Sequence, residues 1–185
     1  MARRVCPIWV GYLLVNPLRR LFENPDKILS PFIHEGMTVL EPGCGMGFFT
    51  LPLARMVGPN GRVVAVDLQS EMLSVLQRRA EKAGLQKRIE VRLAEPGMLG
   101  VKDLYGKVDI VPALHMVHEV PDRAAFFTEL RESIKPGGKL LIIEPKGHVS
   151  QGQFEQTVIT AKKAGFEFES PSEKLGGRSA LLTRT

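Results

Sequence analysis

The chain has 185 residues, a length typical of a single domain with a sizeable core. Its hydrophobic fraction of 44% and charged fraction of 24% are ordinary for a soluble globular protein, and we find no low-complexity tract or internal repeat. The formal net charge is +5, but lysines and arginines are spread along the chain rather than clustered, so we do not expect nucleic acid as a partner.

The N-terminus and the two cysteines bear on the cellular compartment. The apolar run Val5–Val15 has no convincing cleavage site after it, and it is shorter than the roughly 20 apolar residues that span a bilayer. Cys6 and Cys44 form neither a C-x-x-C pair nor a cysteine framework, and we interpret both as thiols in a reducing compartment. We therefore expect a cytoplasmic protein.

Short apolar runs alternate with segments of helical periodicity from Met37 onward. The second predicted helix repeats apolar residues at helical spacing and stops at Gly84. In chain order, this half predicts strand Thr38–Leu40, helix Phe48–Val57, strand Arg62–Val66, helix Ser70–Ala83 and strand Ile89–Leu93.

The same alternation continues through the second half of the chain. Asp122 is expected to cap a helix, and residues 136–138 (Pro-Gly-Gly) are expected to form a tight turn into a strand. A polar loop is expected between the last two strands. The predicted elements are strand Val108–Leu114, helix Arg123–Ile134, strand Lys139–Ile143, helix Ser150–Ala164 and strands Phe166–Glu169 and Ser179–Thr183.

Strands that alternate with helices predict βαβ units and a mainly parallel sheet covered on both faces. The last two strands have no helix between them, which indicates an antiparallel strand at one edge. We predict an α/β fold, a Rossmann-like three-layer αβα sandwich with a seven-stranded sheet, over residues 37–185. Residues 1–36 are expected to form an N-terminal segment of one or two helices.

A glycine-rich loop, Gly43-x-Gly45-x-Gly47, connects the first strand to the first helix. Glycines there allow positive φ angles and a close approach of the backbone to a ligand beside a helix N-terminus. Asp67 follows 20 residues after Gly47, where a carboxylate can accept both ribose hydroxyls of an adenosine. Glu41 precedes the loop and would repel a pyrophosphate, but it suits a ligand with an ammonium and a sulfonium.

With these residues the chain resembles the class I S-adenosylmethionine-dependent methyltransferases, and among them the small ubiquinone/menaquinone biosynthesis methyltransferases. The resemblance extends over most of residues 37–185 and implies S-adenosylmethionine as the cofactor. The motifs that carry it are Glu41–Gly47 (EPGCGMG), Val64–Asp67 (VAVD), Val108–Val111 (VDIV), His118–Asp122 (HEVPD) and Ile134–Leu140 (IKPGGKL).

The resemblance also implies which residues bind the cofactor. The loop glycines would contact its methionine part, Glu41 would organise the loop and the ammonium, and Asp67 would hold the ribose. Glu95 would accept the adenine amino group, although a surface position in its loop is an equal alternative. The implied cofactor-binding residues are Glu41, Gly43, Cys44, Gly45, Gly47, Asp67, Leu68, Glu95 and Leu114.

Methyl transfer uses a leaving group that is already activated, so alignment and desolvation can supply most of the catalysis. A base is needed only when the acceptor loses a proton. We predict His115 or His148 as that base, and His118 as a structural hydrogen-bonding residue. A metal site built from these histidines and Glu119 is an alternative, but their spacing matches no recognised ligand pattern, and we predict no metal.

We predict methyl transfer to a small-molecule acceptor. Residues 114–117 replace the Asn/Asp-Pro-Pro-Tyr motif of amino-methylating nucleic-acid enzymes, and the cysteine cluster of arsenic methyltransferases is missing.

We interpret the apolar N-terminal segment as a lid or a packed helix in preference to a membrane-surface anchor. Two alternatives stay open, a cofactor-binding module without transferase activity and an NAD-dependent oxidoreductase. The acceptor and the oligomeric state are not predicted.

Overall fold

The computed structural model describes residues 7–16, 18–170 and 178–185. Cys6 and the polar loop expected between the last two strands lie outside the described residues. The strands are β1 (Thr38–Pro42), β2 (Arg62–Asp67), β3 (Ile89–Leu93), β4 (Val108–Leu114), β5 (Ile134–Glu144), β6 (Phe166–Ser170) and β7 (Arg178–Arg184). The α-helices are α1 (Ile8–Leu14), α2 (Arg19–Phe22), α3 (Pro25–Leu29), α4 (Thr50–Met56), α5 (Ser70–Lys82), α6 (Arg123–Ser133) and α7 (Gln151–Lys163).

The predicted fold class is confirmed. The seven strands form one sheet in the order β3-β2-β1-β4-β5-β7-β6. The pairs β1–β2, β2–β3 and β4–β5 are parallel, whereas β7 runs antiparallel to both β5 and β6. The antiparallel pair expected from the last two strands therefore lies at one edge of the sheet. Within the described ranges, no helix is long and apolar enough to cross a membrane.

The chain divides into two compact units, residues 1–94 and residues 95–185. In the first unit, β1 and β2 are almost continuously apolar and their central residues are buried, as expected for parallel strands covered on both faces. Helix α5 buries the apolar positions of its helical repeat, Met72, Leu73 and Leu76. This packing holds the carboxyl ends of β1 and β2 side by side.

The N-terminal residues form three short helices within the first unit, where one or two were predicted. Helix α1 packs closely, because a Cβ on Gly11 would lie 2.8 Å from the Met72 sulfur and 2.9 Å from the Met46 methyl carbon. The Asn24 side chain caps α3 by accepting the amide hydrogens of residues 26 and 27. Several large apolar side chains of this segment remain exposed: Trp9, Tyr12, Leu13, Leu18, Leu21 and Phe22.

In the second unit, polar side chains fix the starts of both long helices. Asp122 accepts the amide hydrogen of Ala125 at 3.0 Å and caps α6, as predicted. Ser150 and Gln153 form a reciprocal capping box at the start of α7. These caps orient the helices that follow β4 and β5.

Two predictions about local structure are wrong. Helix α4 begins at Thr50 rather than Phe48, because the glycine loop continues as tight turns through residue 49. Residues 136–138 do not separate a helix from a strand, because β5 already begins at Ile134. Val108 pairs with Ile134 and Ile110 with Lys139, so residues 135–138 form a wide bulge inside β5.

Candidate functional site

The glycine loop of the first unit is fixed by backbone hydrogen bonds to β2. The amides of Gly43 and Cys44 both donate to the Val66 carbonyl oxygen, at 2.8 and 3.1 Å. The three loop glycines have φ angles of 68°, 52° and 83°, which favour glycine over any other residue. The loop is therefore a turn that only a glycine-rich sequence forms without strain.

Two of these glycines have different surroundings. A Cβ added to Gly47 would collide with Leu76 and lie 2.9 Å from Leu51 Cδ1, because Gly47 is buried beneath the loop. A Cβ added to Gly45 would meet no heavy atom within 4 Å. Gly45 therefore lines open space that a ligand can fill, whereas Gly47 lets the loop pack against α5.

Asp67 ends β2 and is tied to the glycine loop. Its Oδ2 accepts the amide hydrogen of Gly45 at 2.8 Å, and its Oδ1 accepts that of Gln69 at 3.0 Å. Burial raises the pKa of this carboxyl, and the backbone hydrogen bonds oppose that shift. A carboxylate offers about four lone-pair sites, so Asp67 can accept a further donor such as a ribose hydroxyl. Leu68 follows with 45% of its surface exposed.

Glu41 places a carboxyl group in the interior of the first unit. Only 3% of its surface is exposed, and within the described residues its Oε2 has no hydrogen-bond partner. Burial, with a smaller contribution from the Asp67 charge, raises the pKa of Glu41 to about 8. A buried oxygen without a partner is costly. A cationic ligand group would relieve that cost, whereas a pyrophosphate would increase it.

Cys44 lies in the same loop and is a buried free thiol. Burial raises its pKa, and the charges of Glu41 and Asp67 raise it further. A thiol held protonated is a poor nucleophile, so Cys44 packs the loop rather than reacting.

The second unit carries the residues predicted to follow the fourth strand. Leu114 is buried at the end of β4, and His115 comes directly after it. The His115 amide donates to the Ile143 carbonyl oxygen at 2.7 Å. Among the described residues, His115 is the only non-glycine with a positive φ, 58°, a strained conformation that is common at functional sites.

His118 is held by a buried carboxylate that follows β5. Glu144 is 1% exposed, and its Oε2 lies 2.7 Å from His118 Nδ1 while its Oε1 accepts the His118 amide hydrogen at 2.9 Å. The hydrogen bond to Glu144 raises the pKa of His118. Residues 117–119 form a 3₁₀ turn, so His115 and His118 do not share an α-helical face.

His148 is exposed in the turn after β5, and its ring centroid lies 6.0 Å from that of His118, edge to face. Glu119 Oε1 lies 3.9 Å from His118 Nε2. These residues come together, but no group of three or more His, Cys, Asp or Glu in the described part of the chain could hold a metal ion.

Glu95 is exposed in a tight hairpin, in which its amide and carbonyl pair with those of Met98. The rest of this loop is anchored by Glu129 of α6. That carboxylate accepts the amide hydrogens of three consecutive residues, Leu99 at 2.9 Å, Gly100 at 3.0 Å and Val101 at 3.4 Å. No role was predicted for Glu129 or Glu144, because their partners lie 26 to 30 residues away in the chain.

Solved structures define the class to which this fold belongs. A structure described as a SAM-dependent methyltransferase from Aquifex aeolicus superposes with a TM-score of 0.84 at 28% identity, covering 97% of this chain and 98% of that one. The fold is that of the class I S-adenosylmethionine-dependent methyltransferases. A structure described as the [4+2]-cyclase SpnF shares the fold with a TM-score of 0.64 at 19% identity, covering 88% of this chain and 59% of that one.

The family model described as "Methyltransferase domain" matches residues 33–175, and the chain belongs to this family. A demethylmenaquinone methyltransferase of Lactobacillus johnsonii is 31% identical over 129 residues, which are 70% of this chain and 50% of that protein. The chain spans half or less of the length of the first curated relatives it matches. The cofactor of this class is S-adenosylmethionine, and its ammonium and ribose fit the carboxyls of Glu41 and Asp67.

Proposed function

We propose that this protein transfers a methyl group from S-adenosylmethionine to a small-molecule acceptor. The observation that carries the proposal is the buried Glu41 carboxyl, whose Oε2 has no hydrogen-bond partner among the described residues. A cationic ammonium satisfies that oxygen, and the neighbouring Asp67 carboxylate suits the ribose hydroxyls of the same molecule. S-adenosylmethionine supplies a methyl group on a positively charged sulfur.

The chain's own residues bind and orient this molecule. Gly43 and Gly45 give the backbone room to approach its methionine part, and Gly47 and Cys44 contribute by packing the loop. Leu68 offers an apolar surface to the adenine. In the second unit, Glu95 is proposed to accept the adenine amino group and Leu114 to contact the cofactor. His115 and His148 remain candidate bases.

The N-terminal segment is proposed to cover the acceptor. Its exposed aromatic and aliphatic side chains, Trp9, Tyr12 and Phe22 among them, suit apolar parts of a small molecule. Failure of the protein to co-sediment with anionic liposomes would support this role over a membrane-surface role. A cytoplasmic location completes the proposal, and the free thiol of Cys44 fits a reducing compartment.

A second candidate function is S-adenosylmethionine binding without methyl transfer. It is favoured by the structural neighbour described as a [4+2]-cyclase, since one fold can host different reactions. Formation of S-adenosylhomocysteine together with a methylated acceptor separates the two functions.

Calorimetric titration with S-adenosylmethionine and, separately, with NAD tests the proposal. We expect micromolar binding of S-adenosylmethionine, whose ammonium can pair with the Glu41 carboxyl, and no binding of NAD, whose pyrophosphate cannot. Binding of NAD alone would replace the proposal with an oxidoreductase. Binding of neither would contradict a cofactor role for the glycine loop.

A further inference from the structure

Helix α2 contacts the aromatic residues that come directly after the glycine loop. Phe48 and Phe49 follow Gly47 and are buried, and their rings meet edge to face with centroids 5.0 Å apart. The Arg19 guanidinium lies over the Phe48 ring, 4.1 Å from its centroid, and 5.7 Å from the centroid of Phe49. The start of the chain is therefore attached to the end of the glycine loop.

Glu23 fixes the orientation of that guanidinium. Its Oε2 accepts hydrogen bonds from Nε and Nη2 of Arg19, at 2.9 and 2.7 Å. The two side chains are only 20% and 21% exposed, and a cation over an aromatic ring is worth more when it is shielded from water. A planar guanidinium can pair with a carboxylate through its edge while its face stacks on a ring, whereas a lysine ammonium cannot.

Helix α1 makes a second contact with the loop, at Met46. The Met46 side chain is 2% exposed, and a Cβ on Gly11 of α1 would lie 2.9 Å from its methyl carbon. The carbonyl oxygen of Met46 also accepts a hydrogen bond from Arg79 of α5. Because Met46 and Phe48 flank Gly47, α1 and α2 hold the loop on both sides of that glycine.

The loop combines these packed positions with an open one. A Cβ on Gly45 would meet no heavy atom within 4 Å, and the Gly45 amide donates to Asp67 Oδ2 at 2.8 Å. A loop with three glycines can adopt many conformations when nothing supports it, and each costs entropy to exclude. Packing of α1 and α2 on Met46 and Phe48 favours the one turn in which Gly45 is open to a ligand.

We propose that Arg19 is a positioning residue for cofactor binding, which acts by stacking on Phe48 and so holding α1 and α2 on the glycine loop. The inference rests on the proposed function for its ligand, S-adenosylmethionine, and needs no contact between that ligand and either helix. The two helices and the ligand favour the same loop conformation, so their effects are reciprocal. Bound ligand strengthens the attachment of the helices by the factor by which their attachment strengthens binding.

Calorimetric titration with S-adenosylmethionine tests one direction of this coupling. We expect Arg19→Met to weaken binding about five- to tenfold, because the variant loses the stacked cation and keeps an aliphatic side chain. Arg19→Lys keeps the positive charge but not the planar group, so it should restore only part of the affinity. Arg78→Met is the matched control, because Arg78 is an exposed arginine of α5 in the same unit, and it should bind as the wild type does.

Phe48→Leu removes the same contact from the loop side. We expect the affinity loss of Arg19→Met to recur in this variant, and we expect little further loss when the two substitutions are combined, because both remove one interaction. Circular dichroism melting establishes that each variant is folded. Losses that multiply in the double variant would contradict a role for Arg19 through Phe48.

Hydrogen exchange tests the other direction, at amides within the two helices. The Val15 amide donates to the Gly11 carbonyl oxygen at 3.1 Å, and the Glu23 amide donates to that of Arg19 at 2.8 Å. In the wild type, saturating S-adenosylmethionine should slow exchange at both amides. The slowing should be at least as large as the affinity loss in Arg19→Met, because a variant can lose no more than the whole coupling.

Failure of the inference is distinguishable from failure of the proposed function. An Arg19→Met variant that binds S-adenosylmethionine as tightly as the wild type would overturn the inference alone, since Arg19 would then only pack α2. Equal exchange rates with and without ligand in a wild type that binds it would also overturn the inference alone. A wild type that binds no S-adenosylmethionine would overturn the proposed function itself.

Discussion

The glycine loop of the first unit and the histidine turn of the second are fixed in different ways. In the loop, backbone amides hold the carboxylate of Asp67, and Glu41 is buried beside it. In the turn, a single buried side chain, Glu144, holds a partly exposed histidine. The first arrangement suits the binding of a cation, whereas the second leaves an imidazole ring partly exposed to solvent. The comparison shows that backbone amides hold the carboxylate in the first region, whereas a buried carboxylate orients the imidazole in the second.

The largest effect is expected from Asp67→Asn, which tests whether the loop is a binding site. The amide loses two charge-assisted interactions, and we expect about a 100-fold weaker affinity for S-adenosylmethionine in calorimetry. Glu71→Gln removes an exposed carboxylate four residues away and should bind as the wild type does. Equal affinities of the two variants would contradict a ribose-binding role for Asp67.

The glycine pair separates folding from binding within the loop. Gly47→Ala forces a methyl group against Leu76 and Leu51 at positive φ, and it should lower the free energy of unfolding by about 3 kcal/mol. Gly45→Ala meets open space and should cost about 1 kcal/mol, yet it should weaken S-adenosylmethionine binding. Urea denaturation and calorimetry measure the two effects. The reverse ranking of stabilities would show that the assigned surroundings are wrong.

The sequence predicted the local structure of the first region better than that of the second, because the first is encoded by residues close together in the chain. Glu41, the glycines and Asp67 lie at the ends of neighbouring strands in continuous motifs, so their positions in the fold follow from spacing. No element was predicted for the turn that contains His118, and its partner Glu144 lies 26 residues away. The bulge at residues 135–138 was also missed, because it depends on the pairing of β5 with β4. Long-range pairing of this kind leaves no periodic signal in a single sequence.

Glu129→Gln tests how the second unit holds the loop that contains Glu95. The Glu129 carboxylate presents two oxygens to three backbone amides, whereas the Gln side chain has one acceptor oxygen. We therefore expect a loss of about 1 to 2 kcal/mol in local stability. Hydrogen exchange at the amides of Leu99 and Gly100 should accelerate accordingly. Glu81→Gln, at an exposed position of α5 in the first unit, is the control. Unchanged exchange in the Glu129 variant would remove it as the anchor.

A further prediction concerns the pH dependence of Glu41. Its raised pKa favours the protonated form in the folded protein, so its contribution to the free energy of unfolding declines as pH rises from 4.5 to about 8. A cationic ligand requires the ionised form, and we expect S-adenosylmethionine to bind roughly 20-fold more weakly at pH 6 than at pH 7.5. Glu41→Gln should remove both trends in chemical denaturation and calorimetry. A pH dependence that survives in this variant would assign it to another group.

A crystal structure of the protein with S-adenosylhomocysteine tests the central claim most directly. We expect the Asp67 carboxylate within hydrogen-bonding distance of both ribose hydroxyls, the ammonium on the Glu41 side of the loop, and the ligand backbone over Gly45. A ligand bound elsewhere, or a ribose out of reach of Asp67, would contradict the assignment of the glycine loop as the cofactor site.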